Sequence, residues 1–348
     1  MTVPEASLGK GGVSGGDGIS LVTGASGFIG GHLTERLVRD GYRVRGFVRE
    51  SSDTSLLESL GVELAVGDLT RADTVARAAL GCRYVFHCGA LVSDWATAKE
   101  IARINVEGTR NVLAAALSAG VERLVHVSTT DVYGYPAKAA VDEAYSSSRF
   151  ANWYSQTKRE AEVEVRRARR SGALEAIILR PATVYGPRST EVVGEIARAI
   201  RNRQMFLIDG GRAVAGLCYV QNLIDAALIA CRHANAPGEA FNISDGSDIT
   251  WRQFMDDLAR GLGYPEVRWS IPYRLAHGVG FSLETAYRLL RSTTGLATPP
   301  LLSRQAVQVM GRSQDFSNRK ARELLGWIPR VGYEQGLWET LAWLKDEA

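Results

Sequence analysis

From Ile19 onward the chain alternates short runs of β-branched and aliphatic residues with longer stretches whose apolar positions recur every three or four residues. The short runs predict strands buried on both faces, and the longer ones predict amphipathic helices. Strands are expected over 19–23, 43–48, 63–66, 84–87, 123–128 and 176–179, with helices over 30–40, 73–80, 101–119 and 154–168 between them. Gly41 stops the first helix, and Ile104, Thr109, Val112 and Leu113 keep near-helical spacing in the third. This alternation predicts a Rossmann-type, doubly wound parallel α/β sheet. After Arg180-Pro181 the rhythm changes to mostly helical segments, over about 191–202, 222–233, 251–262, 273–292, 317–325 and 334–346, interrupted by short strands such as Ala240–Ile243. These predict a smaller, mostly helical C-terminal domain over the sheet's carboxyl edge, where open α/β sheets bind ligands.

Composition narrows the class without naming a chemistry. The 348 residues are 45% apolar and 23% charged, ordinary for a globular protein, and 41 Lys+Arg against 38 Asp+Glu leave a net charge of +3. No basic face argues for nucleic acid. The densest basic cluster, Arg166, Arg167, Arg169 and Arg170, follows Glu160, Glu162 and Glu164, and a solvated helix face is expected there. Cys82, Cys88, Cys218 and Cys231 match no common zinc spacing, so no metal is expected, and Cys82 and Cys88 flank an apolar stretch as core thiols would. Residues 1–18 are rich in Gly and Ser and lack the apolar run of a signal peptide, so a flexible tail and a cytoplasmic location are expected. No apolar window is long enough to predict a spanning helix.

The first strand runs into Thr23-Gly24-Ala25-Ser26-Gly27-Phe28-Ile29-Gly30-Gly31. Glycines at 24, 27 and 30 let the backbone turn sharply, approach a pyrophosphate and pack the following helix on the sheet, and the helix start offers free N–H groups. Gly24, Ser26, Gly27, Phe28, Ile29 and Gly30 are therefore the expected dinucleotide contacts, because the turn sits between a strand and a helix. The second strand ends in Val48-Arg49-Glu50-Ser51-Ser52. Val48 stands where an acid would bind the 2′-hydroxyl of NAD, and the Arg49 guanidinium that follows suits a 2′-phosphate. NADP(H) is accordingly expected over NAD, with NAD as the alternative.

Asn152-Trp153-Tyr154-Ser155-Gln156-Thr157-Lys158 places a phenol and an ammonium on one helix face. A free phenol is a poor proton carrier at neutral pH, and a nearby cation favours its ionised form. The fifth strand ends in Val127-Ser128-Thr129-Thr130-Asp131, placing hydroxyls where they can hold a reacting oxygen for the phenol.

With these motifs the chain resembles the extended short-chain dehydrogenase/reductases from residue 19 onward. Gly67-Asp68-Leu69, His87-Cys88-Gly89-Ala90, Asn105-Val106-Glu107-Gly108-Thr109 and Arg180-Pro181-Ala182-Thr183-Val184-Tyr185-Gly186-Pro187 also resemble that family. The resemblance implies Tyr154 as acid/base, and Lys158 as the residue that binds the nicotinamide ribose and lowers the tyrosine pKa. It implies Thr129 as the substrate-orienting hydroxyl with Ser128 beside it, and Asn105 as the structural member of the site. Asp68 and Leu69 would meet the adenine, Ala90 the cofactor, and Pro181 and Val184 the nicotinamide. It further implies a homodimer through the helices 101–119 and 154–168.

Within the family, Thr130-Asp131 stands where sugar-nucleotide dehydratases resemble one another in an Asp-Glu pair, which argues against dehydration. Ala215-Gly216 and Gln221 stand where epimerases carry an arginine and an aspartate. Ala90 through Trp95, Thr250 through Phe254, Pro299 through Ser303 and Asp315 through Ala321 resemble the 3β-hydroxysteroid dehydrogenase-like branch and bacterial ketone reductases. The expected activity is NADPH-dependent interconversion of a ketone and a secondary alcohol on a small, fairly apolar molecule. Sugar-nucleotide epimerisation and a non-catalytic NADP-binding sensor are the alternatives. Residues 19–184 with about 213–236 are expected to bind the dinucleotide, and 185–212 with 237–348 the substrate. Leu275, Val279, Phe281, Leu283, Leu289 and Leu290 are expected to pack the second domain's core, ahead of walling an apolar pocket or touching a membrane.

Overall fold

The computed structural model describes residues 18–347 except 94–95, 137–138, 148–149, 151, 171, 173 and 283–303. Its frame is one parallel sheet of seven strands in the order β10-β6-β5-β4-β1-β2-β3. The strands are β1 (Ile19–Thr23), β2 (Arg43–Val48), β3 (Glu63–Val66), β4 (Cys82–His87), β5 (Arg123–Val127), β6 (Glu175–Pro181) and β10 (Ala240–Ile243). The central strands alternate strictly between two cores. Leu21, Val85, Leu124 and Ile178 face one layer, and Val22, Phe86, Val125, Ile177 and Leu179 face the other. The first layer is built by α3 (Ala72–Ala79), α5 (Gly108–Ser118) and α6 (Trp153–Arg170), and the second by α1 (Phe28–Arg39) and α8 (Val220–Arg232). Burial of both faces explains why these strands read as nearly continuous apolar runs.

Several expected elements have the predicted bounds, among them β2, β3 and β10. The sequence sets β10 among the C-terminal helices, but its parallel pairing with β6 from Ala240↔Ile178 to Ile243↔Pro181 makes it the edge strand of the large sheet. The helix expected over 101–119 is longer and interrupted. A capped turn, α4 (Ala98–Ala102), passes into a π turn (Arg103–Glu107) before α5. Three short elements had no periodic signal: α2 (Ser55–Ser59), and the paired strands β7 (Thr183–Tyr185) and β9 (Leu217–Tyr219).

The remaining part holds α7 (Glu195–Arg201), the pair β8 (Leu207–Ile208) and β11 (Ser270–Ile271), α9 (Trp251–Gly261), α10 (273–282), α11 (Arg304–Gly311), α12 (Arg319–Leu325) and α13 (Tyr333–Asp346). Trp251, Phe254 and Trp327 are buried between these elements and the second core layer. One expectation fails in α10. Leu275, Val279 and Phe281 are 58%, 41% and 54% exposed, while the small Ala276 is buried. The small residue fits close against Ile208 and Val307 in a minor cluster, leaving the larger neighbours outside. Leu283, Leu289, Leu290, Trp95, the 283–292 end of that expected helix and the Pro299–Ser303 motif lie outside the described residues. No described helix is long and apolar enough to cross a membrane.

Candidate active site

The predicted site residues converge because parallel strands all present their carboxyl ends to one edge. Gly24 follows β1, Arg49 follows β2, Asp68 follows β3, Ala90 follows β4, Ser128 and Thr129 follow β5, and Pro181 ends β6. Six neighbouring strands thus each contribute to a continuous rim.

At its centre Gly24 turns with φ +68°, and a Cβ there would lie 2.8 Å from the Cα of Gly89. A Cβ on Gly30 would lie 2.1 Å from the Gly24 carbonyl oxygen. Only glycine allows this turn and the close seat of α1 upon it. Gly27 caps α1 by position, without a side-chain hydrogen bond, and the first turn carries no acid. Ser26 and Gly27 are exposed, and Phe28 and Ile29 half-buried. The amide groups at this helix start are therefore left for an anion, and the residues present fit a dinucleotide pyrophosphate.

At one flank Arg49 is exposed in a turn closed by the Ser52 amide on the Arg49 carbonyl (3.0 Å) and the Arg49 amide on Ser52 Oγ (3.1 Å). Asp68 Oδ1 accepts from the amide (2.7 Å) and hydroxyl (2.8 Å) of Thr70, and the amide bond, with Arg103 and Arg49 nearby, holds its carboxyl below the usual range. Leu69 packs against the glycines of the next wall, 3.0 Å from where Cβ atoms of Gly89 and Gly108 would stand. Ala90 is half-buried in that wall. Asn105, buried in the π turn, accepts the Leu91 amide at 2.7 Å and donates to the Leu91 carbonyl at 3.1 Å and Thr157 Oγ1 at 3.3 Å. Its side chain is thereby a clamp between the cleft wall and α6.

At the other flank Tyr154 and Lys158 stand one turn apart on α6, as predicted. The half-buried Tyr154 phenol lies close to the side chain of Thr129, whose Oγ1 accepts the Asp131 amide at 3.1 Å. Its neighbour Ser128 departs from expectation. That hydroxyl donates to Glu162 Oε1 at 2.7 Å in the interior, so of the two residues only Thr129 reaches the phenol. Pro181 is buried where β6 meets β10, and Val184 is half-buried in β7.

The electrostatics correct a second expectation. Burial, with the carboxylates of Asp131 and Glu191, pushes the Tyr154 phenol above its ordinary pKa, and the nearby Thr129 hydroxyl only partly offsets them. Lys158 does not counter this. Its ammonium donates to the Val127 carbonyl at 2.7 Å, and burial lowers its pKa from 10.5 to about 8 despite Glu162 and Cys88. Between about pH 8 and 10.5 the unfolded chain therefore keeps a proton that folded Lys158 gives up, so this group makes stability rise with pH across that window. Urea unfolding over that range should show Lys158→Met losing a positive slope of up to ~1.4 kcal/mol per pH unit relative to wild type. Parallel slopes for the two proteins would contradict it.

Sequence reasoning missed the group beneath these residues. Glu162, expected on a solvated face, is fully buried and receives Arg180 Nε at 2.8 Å and Nη2 at 2.6 Å. Arg180 Nη1 donates to the Tyr133 hydroxyl at 2.7 Å, which donates to Asn242 Oδ1 at 2.6 Å. The available signal was spacing, since Glu162 lies one turn beyond Lys158 and two beyond Tyr154 on the same helix face.

A family model described as the NAD dependent epimerase/dehydratase family matches residues 20–244. The chain is 34% identical over 322 residues to 4-hydroxy-2-methyl-3-oxo-4-farnesyl-3,4-dihydroquinoline-1-oxide ketoreductase of Stigmatella aurantiaca, covering 91% of this chain and 94% of that protein. It is 32% identical over 326 residues to 2-alkyl-3-oxoalkanoate reductase of Stenotrophomonas maltophilia, covering 91% and 96%. Among solved structures, that of gox2253 aligns with a TM-score of 0.79 at 28% identity, over 96% of this chain and 99% of that one. UDP-glucose 4-epimerase of Thermotoga maritima aligns at 0.77 with 24% identity over 94% and 99%, a likeness of fold alone.

Proposed function

The chain belongs to the NAD dependent epimerase/dehydratase family, and from that premise we propose that it is an NADP(H)-dependent reductase of apolar ketones to secondary alcohols, with Tyr154 as the acid. The observation that carries the reading is the placing of Thr129, at the end of β5, against the Tyr154 phenol, on the same sheet edge as the glycine turn and with Lys158 one helical turn along α6. The chemistry that a bound nicotinamide supplies is hydride transfer. The chain's own residues handle the oxygen. Thr129 Oγ holds the substrate carbonyl oxygen, and the Tyr154 hydroxyl gives it a proton as negative charge develops there. A phenol whose pKa is raised by burial and by Asp131 and Glu191 is protonated at neutral pH, the state that donation to a carbonyl oxygen requires. Lys158 is fixed by Val127 as a buried cation beside the path, and Asn105 keeps the facing wall in place. The relatives named as a farnesyl-quinoline ketoreductase and a 2-alkyl-3-oxoalkanoate reductase support a ketone carried on an apolar chain.

Val48 rather than an acid ends β2, and although Glu50 follows in the same turn, the exposed guanidinium of Arg49 supports a 2′-phosphate there. The test follows the near-ultraviolet absorbance of reduced nicotinamide with 2-alkyl-3-oxoalkanoates and apolar ketones, using NADPH and NADH in parallel. Turnover with NADPH is expected. Arg49→Ala should weaken NADPH by about 10–100-fold while leaving NADH nearly unchanged, the loss of one charge-assisted contact. Equal loss for both dinucleotides would remove the NADP assignment. Conversion of a sugar nucleotide without net cofactor consumption would replace the reductase reading with epimerisation.

A further inference from the structure

Beneath the rim one histidine joins two parts of the cleft that sequence reading treated separately. His87, the last residue of β4, is buried, with Nδ1 2.7 Å from Thr23 Oγ1 and Nε2 3.0 Å from Thr109 Oγ1. The direction of each bond is determined. Thr109 spends its hydroxyl proton on the Asn105 carbonyl one turn earlier, at 2.6 Å, so it can only accept from His87 Nε2–H. His87 Nδ1 is then an acceptor and takes the Thr23 hydroxyl proton, and Thr23 Oγ1 in turn accepts the Gly89 amide at 3.2 Å. The result is one line of bonds with a single polarity, from Gly89 N–H through Thr23, His87 and Thr109 to the carbonyl of Asn105. The same Asn105 holds both backbone groups of Leu91 through its side chain. The strip Gly89–Ala90–Leu91 is thus gripped at each end, by Thr23 and by Asn105, and the imidazole lies on the line that joins the two.

We propose that His87 is a positioning residue for dinucleotide binding, a neutral connector that sets the Gly89–Leu91 wall against the glycine turn and ties both to the π turn of Asn105. The wall must sit close, because the Cα of Gly89 is the atom that a side chain at Gly24 would strike. The connector works only as a neutral ring, since a proton on Nδ1 would meet the Thr23 hydroxyl proton. Its surroundings secure that state. Burial and the Lys158 cation lower the His87 pKa to about 3. His126, paired with it in register across β4 and β5, packs its ring at 5.1 Å and is likewise kept neutral by burial and Lys158. Of the other titratable neighbours of that cation, Glu162 is paired with Arg180, and Cys88 is held as a thiol with its pKa pushed up to about 12 by burial. The ring therefore stays neutral, and the connector keeps one orientation, at every pH well above about 3.

The proposal needs only that the cleft binds a dinucleotide, so it stands apart from the choice of ketone substrate. Its test is a double-mutant cycle on Thr23→Val and Thr109→Val, near-isosteric changes that each remove one hydroxyl, with the two bonds it makes, at opposite ends of the imidazole. Dissociation constants for NADPH and NADH are read by fluorescence quenching, with circular dichroism confirming the fold. Each single variant should weaken the tighter dinucleotide by about 3–10-fold, the scale of one buried hydrogen bond. The double variant should be no worse than the weaker single one, because a line broken at one end no longer transmits from the other. Thr109→Ser, which keeps the hydroxyl, should restore wild-type affinity. Amide exchange at Gly89 should quicken in Thr109→Val, although Thr109 does not touch that residue. Losses that multiply in the double variant, or single variants with wild-type affinity, would overturn the proposal.

Discussion

Tyr154→Phe is expected to lower kcat by about 10²–10⁴-fold while leaving the dissociation constant for NADPH within about twofold. The phenol oxygen is the only atom removed, and the ring that fills its half-buried place on α6 remains. What disappears is the proton donor held by Thr129 at the end of β5. Without it, the oxygen freed of its double bond must wait for water. Ground-state binding does not use that proton, so the split between kcat and affinity separates a chemical role from damage to the fold. Steady-state kinetics paired with cofactor titration makes the measurement. A variant that keeps more than about a tenth of wild-type kcat would place the acid elsewhere, since even the lower bound for such catalysis exceeds tenfold. Asp131 and Glu191, the two carboxylates that already bias the phenol toward its protonated form, are the first places to look in that event.

How much of this was legible depends on what kind of physics fixes each feature. Strand β10 could be bounded from sequence because it is a short, wholly buried run closed by polar residues, whereas β2 and the half-exposed edge strand β3 are short segments marked off by Gly41, Gly61 and Gly67. The rim was legible for a related reason, since a parallel sheet sends every strand's carboxyl end to the same edge. Side-chain direction inside that frame was not. Ser128 and Thr129 are adjacent hydroxyls in sequence, yet one reaches into the interior toward Glu162 and the other toward Tyr154. Glu162 itself looked solvated because three glutamates and four arginines crowd one short stretch, and only the partner Arg180, eighteen residues away on β6, turns it into an interior group. The sign of the Tyr154 shift was misread similarly. Lys158 is close in sequence, but its ammonium is committed to the Val127 carbonyl, and the carboxylates that matter come from a turn after β5 and another after β7.

That interior pair carries the largest stability effect expected of any single change. Burial alone would disfavour the Glu162 carboxylate, but the two Arg180 bonds and the Arg180 charge, helped by Ser128 and Arg166, hold its pKa below the ordinary 4.5. Arg180→Leu removes both bonds and the cation from a carboxylate with no exposure, and it also strips Tyr133 of the guanidinium stacked 4.9 Å above its ring. Breaking such a pair costs about 3–5 kcal/mol, a large share of the margin of most folded chains. Arg159 and Arg166 lie 3.4 and 3.8 Å from Glu162, but both are about a third exposed and replace little of what is lost. The pH dependence should then change sign. In wild type the folded carboxyl has the lower pKa, so its contribution is complete above about 4.5 and disappears as pH falls through the folded value. In Arg180→Leu, burial without the cation raises the folded pKa above the unfolded one. The variant should accordingly be least handicapped in acid and lose stability as pH climbs past about 4.5. Adding Glu162→Leu should recover most of the deficit, because a buried apolar pair avoids the desolvation that an unpaired carboxylate suffers. Urea midpoints for the three proteins from mildly acidic to neutral pH carry the comparison. An Arg180→Leu protein within about 1 kcal/mol of wild type, with the same pH slope, would mean that Ser128 and the half-buried arginines stabilise the carboxylate by themselves.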